Sequence, residues 1–179
     1  MPPSRRVSFR EATLPMDTEF IIAIFDVSLP YLASIGSEGQ WGTKPFSERE
    51  EFWDEIRGFV EGNQNLEQGI AWIADIEIVN EEGYLETKPA GTIILTTTRH
   101  HAPPSVSPRV PELYVKFLIT DKRLGALSKG VGLRMLDFVK EVTRWEKIKL
   151  LRIDCWRGGN QGLVRYVPWR IFFLFIKKV

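Results

Sequence analysis

The order of hydrophobic and polar positions along the chain predicts alternating strands and helices, as in a single α/β or α+β domain. Residues 7–12 alternate between apolar and polar, which is typical of a half-buried strand, and apolar residues recur at helical spacing over residues 17–32. Asp17 is the expected N-cap of this helix, and Pro30 is expected to kink or divide it. The later predicted elements are a helix from Ser47, strands over 69–79, 92–98 and 112–119, a helix over 133–145, a strand over 150–156 and the opening of a last helix over 162–166.

Local signals mark the start of the second helix and the two main loops. Ser47 is followed three residues later by Glu50, which is the spacing of a capping box. Residues 36–45 are punctuated by glycine and proline and are expected to form a loop. Residues 100–111 contain four prolines and are expected to form a second loop.

Composition and charge limit the possible functions. The chain has 179 residues, of which 44% are hydrophobic and 26% charged, and this excludes a mostly disordered chain. The net charge of +1 gives no electrostatic reason to expect nucleic acid or an anionic membrane as a partner. No apolar run approaches the ~20 residues that a membrane helix needs, and no targeting segment is visible. The expected location is therefore the cytoplasm.

Cysteine and histidine are scarce in this sequence. Cys155 is the only cysteine, which excludes an intramolecular disulfide and a Cys-rich zinc site, and a buried structural thiol is expected there. His100 and His101 are the only histidines. Since two histidines are too few for most His-based sites, no metal is expected.

The segment that suggests chemistry is a strand, a basic loop and a glycine turn before a helix. Lys122, Arg123 and Lys129 precede Gly130-Val131-Gly132-Leu133. A helix N-terminus offers unpaired backbone N–H groups and the positive end of the helix dipole, which together favour phosphate. A plain turn with an N-cap is the alternative. The pattern is neither a Walker loop, since no Gly-Lys-Ser/Thr follows, nor the Rossmann fingerprint.

Residues 112–166 resemble the second half of the GCN5-related N-acetyltransferase superfamily. The order and spacing of several pieces carry this resemblance, together with the loop Gly36…Gln40-Trp41-Gly42. The resemblance covers residues 5–166 and leaves residues 167–179 as an atypical hydrophobic tail. It implies a mixed, mostly antiparallel sheet flanked by helices, with an incomplete C-terminal helix-strand unit. The pieces after the glycine turn are Leu133, Met135 and Leu136, then Leu151-Arg152-Ile153-Asp154-Cys155-Trp156, Asn160 and Leu163-Val164-Arg165-Tyr166.

The resemblance implies transfer of an acetyl group from acetyl-CoA to a primary amine of a small molecule, by direct attack. Two central strands splay apart in this fold, and the cofactor lies in the V between them. Backbone groups of the strand before the glycine turn would hold the pantetheine arm, and amides of the turn would hold the pyrophosphate. The corresponding residues are Phe117, Leu118 and Ile119 for the arm, Lys129, Gly130, Val131, Gly132 and Leu133 for the pyrophosphate, and Asn160 for a further contact with the arm. Arg123 of the basic loop is a further candidate for binding the cofactor.

Three residues are candidates on the acceptor side of the reaction. Glu112, at the start of the central strand, is the candidate general base, with a solvated strand-end carboxylate as the alternative. Gln40 and Trp41 are candidates for the acceptor pocket, and packing in the core is the alternative for Trp41. The identity of the acceptor and the oligomeric state stay open.

The sequence departs from the family pattern in two places. Counting back from Gly130 puts Leu127 where the family has Arg or Gln, and Arg123 lies four residues earlier, so the loop is longer by about two residues. After Tyr166 the family continues with a second tyrosine, often the acid that protonates the thiolate, and a final strand. Here Pro168 and the apolar run over 171–176 follow instead.

This second departure leaves several interpretations open. Residues 167–179 could be non-native sequence from a mis-spliced or mis-predicted gene model, or the apolar run could replace the missing strand. The chain could then be an active acetyltransferase, a catalytically impaired CoA-binding or interaction protein of the same fold, or a truncated product.

Overall fold

A computed structural model describes residues 6–62, 65–97 and 111–153 of the chain. None of the helices in these ranges has the length and apolar character needed to cross a membrane. The elements in chain order are β1 (Val7–Glu11), α1 (Met16–Ser34), α2 (Glu50–Glu61), β2 (Ile70–Val79), β3 (Leu85–Thr96), β4 (Glu112–Thr120), α3 (Val131–Trp145) and β5 (Leu150–Ile153), with short 3-10 segments at Glu38–Gln40, Phe46–Glu48 and Lys122–Ser128.

The strands form one sheet in the order β1-β2-β3-β4-β5. The first three pairings are antiparallel, and only β4 with β5 is parallel. A parallel neighbour needs a crossover connection, and α3 supplies it. The expected mixed, mostly antiparallel sheet flanked by helices is therefore confirmed, while the incomplete C-terminal unit lies outside the described residues.

Apolar side chains cover both faces of the sheet. On one face, Phe25 of α1 and Ile56 of α2 pack against the sheet and are fully buried. On the other face, Met135 of α3 is fully buried. The neighbouring β3 residues Ile93 and Ile94 belong to opposite faces, as the two-residue period of a strand requires. The sheet is thus a central layer between two helical layers.

The first helix differs from the sequence prediction in two respects. Pro15, not Asp17, occupies its N-cap position and makes no side-chain capping bond. Pro30 lies inside one continuous helix and does not divide it into separate elements. Pro30 is exposed, and the carbonyl that loses its intrahelical donor is that of Asp26, a partly buried residue. Burial of the opposite face of α1 outweighs that local cost.

The predicted capping box at Ser47 is wrong. Residues Phe46–Glu48 form a 3-10 turn, and α2 begins at Glu50 with Arg49 at its N-cap position. The acceptor for this turn comes from α1, since Asp26 accepts hydrogen bonds from the backbone N–H groups of Phe46 and Ser47. Asp26 therefore caps the 3-10 turn that precedes α2, whereas the Arg49 side chain makes no capping hydrogen bond at the start of α2.

The second predicted strand of the central hairpin is longer than expected. β3 begins at Leu85, seven residues before the predicted start, and runs through Pro89 and Gly91. Its pairing with β2 jumps between Ala74 and Asp75, so Ala90 is the extra residue of a β-bulge. The bulge accommodates a proline that would otherwise interrupt the strand.

Arg10 joins three elements at the start of the sheet. Its Nη1 lies 2.6 Å from Asp17 Oδ2 in α1, and its Nε lies 2.8 Å from Asp75 Oδ2 in β2. Burial acts to raise the pKa of Asp17, but hydrogen bonds from Arg10 and Thr13 outweigh it and lower that pKa. Burial dominates at Asp75 and raises its pKa despite Arg10. The polar contacts therefore outweigh the effect of burial on the pKa of Asp17 but not on the pKa of Asp75.

We expect Arg10→Met to lower the free energy of unfolding by about 2 kcal/mol. Removing one partner of a buried ion pair typically costs about 3–5 kcal/mol, and partial exposure of Arg10 reduces this cost. Urea unfolding at neutral pH measures the change. Arg57→Met is the matched control, because Arg57 pairs with Asp54 on an exposed face of α2 and should lose no more than about 0.5 kcal/mol. An equal loss of unfolding free energy in Arg10→Met and Arg57→Met would contradict a stabilising role for the ion pairs of Arg10.

We expect Asp75→Asn to gain stability relative to the unmodified chain as pH rises through the raised pKa of Asp75. The unfolded chain ionises Asp75 at lower pH than the folded chain does, so ionisation favours unfolding within that window. Urea unfolding at a series of pH values between the ordinary aspartate pKa and neutrality gives the difference between the two proteins. A difference that stays constant with pH, or that changes in the opposite direction, would contradict the assignment.

Candidate functional site

The glycine turn before α3 presents backbone donors at the helix N-terminus. Gly130 has a left-handed conformation with φ of 90° at the N-cap position. The N–H groups of Lys129 and Leu133 donate to the carbonyls of Ala126 and Gly130, respectively. Within the described ranges, the N–H groups of Gly130, Val131 and Gly132 have no backbone acceptor. Three of the five predicted amides are thus available to an anion, and two are used inside the turn.

This turn lies against the second half of β4. A methyl group added at Gly132 would be 3.7 Å from Thr120 Cγ2 and 3.8 Å from Leu118 Cδ2. The structure therefore brings the predicted pyrophosphate amides beside the predicted pantetheine strand. Phe117, Leu118 and Ile119 pair on one side with Ile94, Ile93 and Thr92 of β3.

The pairing of β4 with β5 is described only at the start of both strands. Four residue pairs join them, from Glu112 with Leu150 to Val115 with Ile153. The next residues of the chain after Ile153 lie outside the described ranges. The predicted splaying of these two strands therefore stays a prediction.

A β-bulge interrupts β4 just before the predicted pantetheine residues. Val115 pairs with Leu95 and Phe117 pairs with Ile94, so Lys116 is the extra residue. A bulge bends the strand and redirects its backbone groups, and bulges are common beside active sites. No glycine or proline marks this position in the sequence, so local signals could not have predicted it.

The cations of the loop are mostly engaged within the protein. Arg123 Nε and Nη2 lie 2.9 and 2.8 Å from the Asp121 carboxylate oxygens Oδ1 and Oδ2. This hydrogen bonding raises the pKa of Arg123. Lys122 Nζ lies 4.3 Å from the centre of the Tyr31 ring of α1. Lys129 is exposed and has no ion-pair partner among the described residues.

The longer loop folds as short 3-10 turns over Lys122–Ser128, with Gly125 at φ of 50° between them. Leu127, which stands where the family has Arg or Gln, packs against the core beneath α3. The position that usually carries a polar side chain is therefore apolar here. Anion binding by this turn would depend on the main chain.

Glu112 is buried beside Arg152 of β5. The Arg152 Nε atom lies 3.3 Å from Glu112 Oε2, and the two side chains are 3% and 2% exposed. The alternative interpretation of Glu112 as a solvated strand-end carboxylate is wrong, since the neighbouring strand covers it. Its assignment as the general base stays a prediction.

Trp41 packs against the core, and Gln40 precedes it in a 3-10 turn. The Trp41 ring centre lies 5.0 Å from that of Phe25 and 5.8 Å from that of Phe46. The Arg49 guanidinium donates to the Trp41 carbonyl at 3.0 Å and fastens this loop to the start of α2. Both residues are only partly buried. The Trp41 ring packs against Phe25 and Phe46. Its role in the pocket for the acceptor amine stays a prediction.

Several predicted features lie outside the described residues. These are Asn160, Cys155, the histidine pair, the domain boundary at Tyr166 and the tail over 167–179. Among residues 6–62, 65–97 and 111–153, no group of three or more potential ligand side chains could hold a metal ion.

Comparisons with known proteins find the same fold in several solved structures. No family model and no curated protein matches the sequence. A transcriptional regulator from Bacillus halodurans C-125 is similar in structure at 15% identity, with a TM-score of 0.58 over 97% of this chain and 99% of that chain. A GCN5-related N-acetyltransferase from Ralstonia eutropha JMP134 is similar at 14% identity, with a TM-score of 0.56 over 97% and 99%.

A third similar structure is a predicted acetyltransferase with acetyl-CoA from Clostridium acetobutylicum. It is 16% identical, with a TM-score of 0.54 over 90% of this chain and 89% of that chain. At such identities the likeness establishes the fold alone. The chain has the fold of the GCN5-related N-acetyltransferases.

We expect Gly130→Ala to destabilise the protein by about 1–2 kcal/mol, because an alanine pays that cost in a left-handed conformation. The position is open, with no atom within 4 Å of an added methyl group, so the cost is conformational rather than steric. Gly132→Ala is the control. It lies in α3 with only ordinary contacts and should leave stability unchanged or raise it by about 0.5 kcal/mol. Chemical unfolding measures both variants, and equal losses would contradict the left-handed turn.

Proposed function

We propose that this protein transfers the acetyl group of acetyl-CoA to a primary amine of a small molecule. The observation that supports this most directly is the glycine turn, whose three available N–H groups lie at the N-terminus of α3 and beside the end of β4. A helix N-terminus with unpaired amides favours a phosphate group. The chain shares its fold with acetyltransferases, which supports acetyl-CoA as the phosphate-bearing ligand of this turn.

Cofactor binding would rest on the main chain more than on side-chain charge. Gly130, Val131 and Gly132 would donate to the pyrophosphate, and Lys129 would add a charge at the rim. Arg123 would lie beside the pyrophosphate with its Nε and Nη2 atoms bonded to Asp121. Phe117, Leu118 and Ile119 would hold the pantetheine arm through the backbone side of β4 that β3 does not occupy. Asn160 would add a contact to the arm.

Catalysis would depend mainly on placing the two reactants together. The neutral acceptor amine attacks the thioester carbonyl carbon, the tetrahedral intermediate collapses, and the bond to sulfur breaks. The amine loses one proton and the departing thiolate gains one. Holding both reactants in one site removes much of the entropic cost of their meeting. Gln40 and Trp41 would line the acceptor side, on the face of the sheet that α1 and α2 cover.

We expect acetyl-CoA at 100 times its Kd to raise the melting temperature by about 5–10 °C. A ligand that binds only the folded chain adds about 2.7 kcal/mol at that concentration. S-acetylpantetheine, which lacks the pyrophosphate, should give a much smaller shift at the same concentration. Gly130→Ala should reduce the acetyl-CoA shift, and Gly83→Ala, at an open left-handed glycine in the turn between β2 and β3, should keep it.

The full chain is used, and turnover is measured with a panel of primary amines. A cooperative melt without a shift by acetyl-CoA would contradict the proposal. A shift without release of free CoA thiol from acetyl-CoA in the presence of any amine would instead support the catalytically impaired form. An equal shift with S-acetylpantetheine would exclude the glycine turn as the binding determinant.

A further inference from the structure

A buried ion pair joins the two strands that would form the cofactor cleft. Glu112 pairs in register with Leu150, and Arg152 pairs with Tyr114, so the two charged residues lie two positions apart along adjacent parallel strands. The Arg152 Nε atom and the Glu112 Oε2 atom are 3.3 Å apart, and both side chains are at least 97% buried. A favourable charge interaction therefore spans the junction of β4 and β5.

This location gives the ion pair a structural consequence. Among the described strands, β4 and β5 form the parallel pair, and parallel pairing is slightly less stable per residue than antiparallel pairing. Burying two charges is costly unless they compensate each other, and removing one leaves the other uncompensated. The ion pair thus strongly favours the arrangement in which β4 and β5 stay together at their first residues.

We propose that Glu112 and Arg152 are positioning residues that hold β4 and β5 together at the closed end of the acetyl-CoA cleft, and that Glu112 is not the general base. This proposal rests on the proposed function. The bulge at Lys116 and the predicted pantetheine residues follow Val115, the last β4 residue whose pairing with β5 is described. The separation of the two strands at that point would set the width of the cleft.

The geometry argues against proton transfer to Glu112. A general base must reach the proton within hydrogen-bond distance or through one water. Glu112 is 2% exposed and faces a guanidinium on the next strand. Protonating it would remove the attraction between this carboxylate and the buried Arg152 guanidinium. The same carboxylate serves better as a fixed charge than as a proton acceptor.

The test compares Glu112→Gln, Arg152→Met and the charge-reversed double variant Glu112→Arg/Arg152→Glu. We expect each single variant to raise the KM for acetyl-CoA about tenfold or more, because small misplacements of a binding strand weaken productive binding. The pH dependence of kcat should keep its shape in both. The double variant should recover part of the lost affinity. Arg57→Met, which removes an exposed ion pair on α2, is the control and should leave KM unchanged.

Arg152→Lys keeps the positive charge. If the other variants do not melt cooperatively, its KM for acetyl-CoA tests whether the ion pair positions the binding strand. We expect it to raise the KM for acetyl-CoA several-fold with kcat nearly unchanged. An unchanged KM in Arg152→Lys would contradict the proposal. So would a fall in kcat of about 10²-fold or more in Glu112→Gln with loss of the acidic limb, which a general base predicts.

The failure of this proposal and that of the proposed function are distinguishable. If the unmodified chain melts cooperatively but neither binds nor uses acetyl-CoA, the proposed function is wrong, and the positioning proposal is overturned with it. If the unmodified chain uses acetyl-CoA and the variants at Glu112 and Arg152 keep its KM, only the positioning proposal is wrong.

Discussion

The parallel junction between β4 and β5 is the constraint on which the rest of the molecule depends. Neighbouring antiparallel strands can be linked by short connections, but a parallel neighbour requires the chain to return along the whole sheet. Helix α3 makes that return, and its apolar face covers one side of the sheet while it does so. As a result, the N-terminus of α3 and the glycine turn must lie near the end of β4. The candidate site is a direct consequence of this topology.

Apolar burial and polar contacts have different effects in this fold. The two apolar layers hold the helices against the sheet, but hydrophobic packing alone tolerates small shifts in alignment. Polar contacts between distant residues limit those shifts: Arg10 connects β1, α1 and β2, and Asp26 of α1 caps the turn at Phe46. Glu112 and Arg152 act in the same way between β4 and β5. Each contact is specific because an unpaired buried charge or donor is costly.

Much of the fold could be predicted from the sequence because its signals are local. Apolar periodicity predicted β2, β4 and α3 closely, and the Gly-x-Gly spacing predicted the turn before α3. The failures involve partners far apart in the chain. The acceptor that caps the turn at Phe46 is 20 residues away, and the partner of Glu112 is 40 residues away along the sequence. The bulge at Lys116 depends on alignment with β3, which no pattern within β4 can reveal. Pro30 does not divide α1, because burial of the apolar face of the helix outweighs the loss of one backbone hydrogen bond at the proline.

The glycine turn leaves little trace in an amino-acid sequence. Its available donors belong to the main chain, and every residue except proline has such an N–H group. Only Gly130 is constrained, by its left-handed conformation, whereas Leu127 shows that a neighbouring position can lose its usual polar character. Descendants of one ancestral gene could therefore replace nearly every side chain around such a turn while inheriting its shape. Structural similarity around such a turn therefore persists after the amino-acid sequences have diverged.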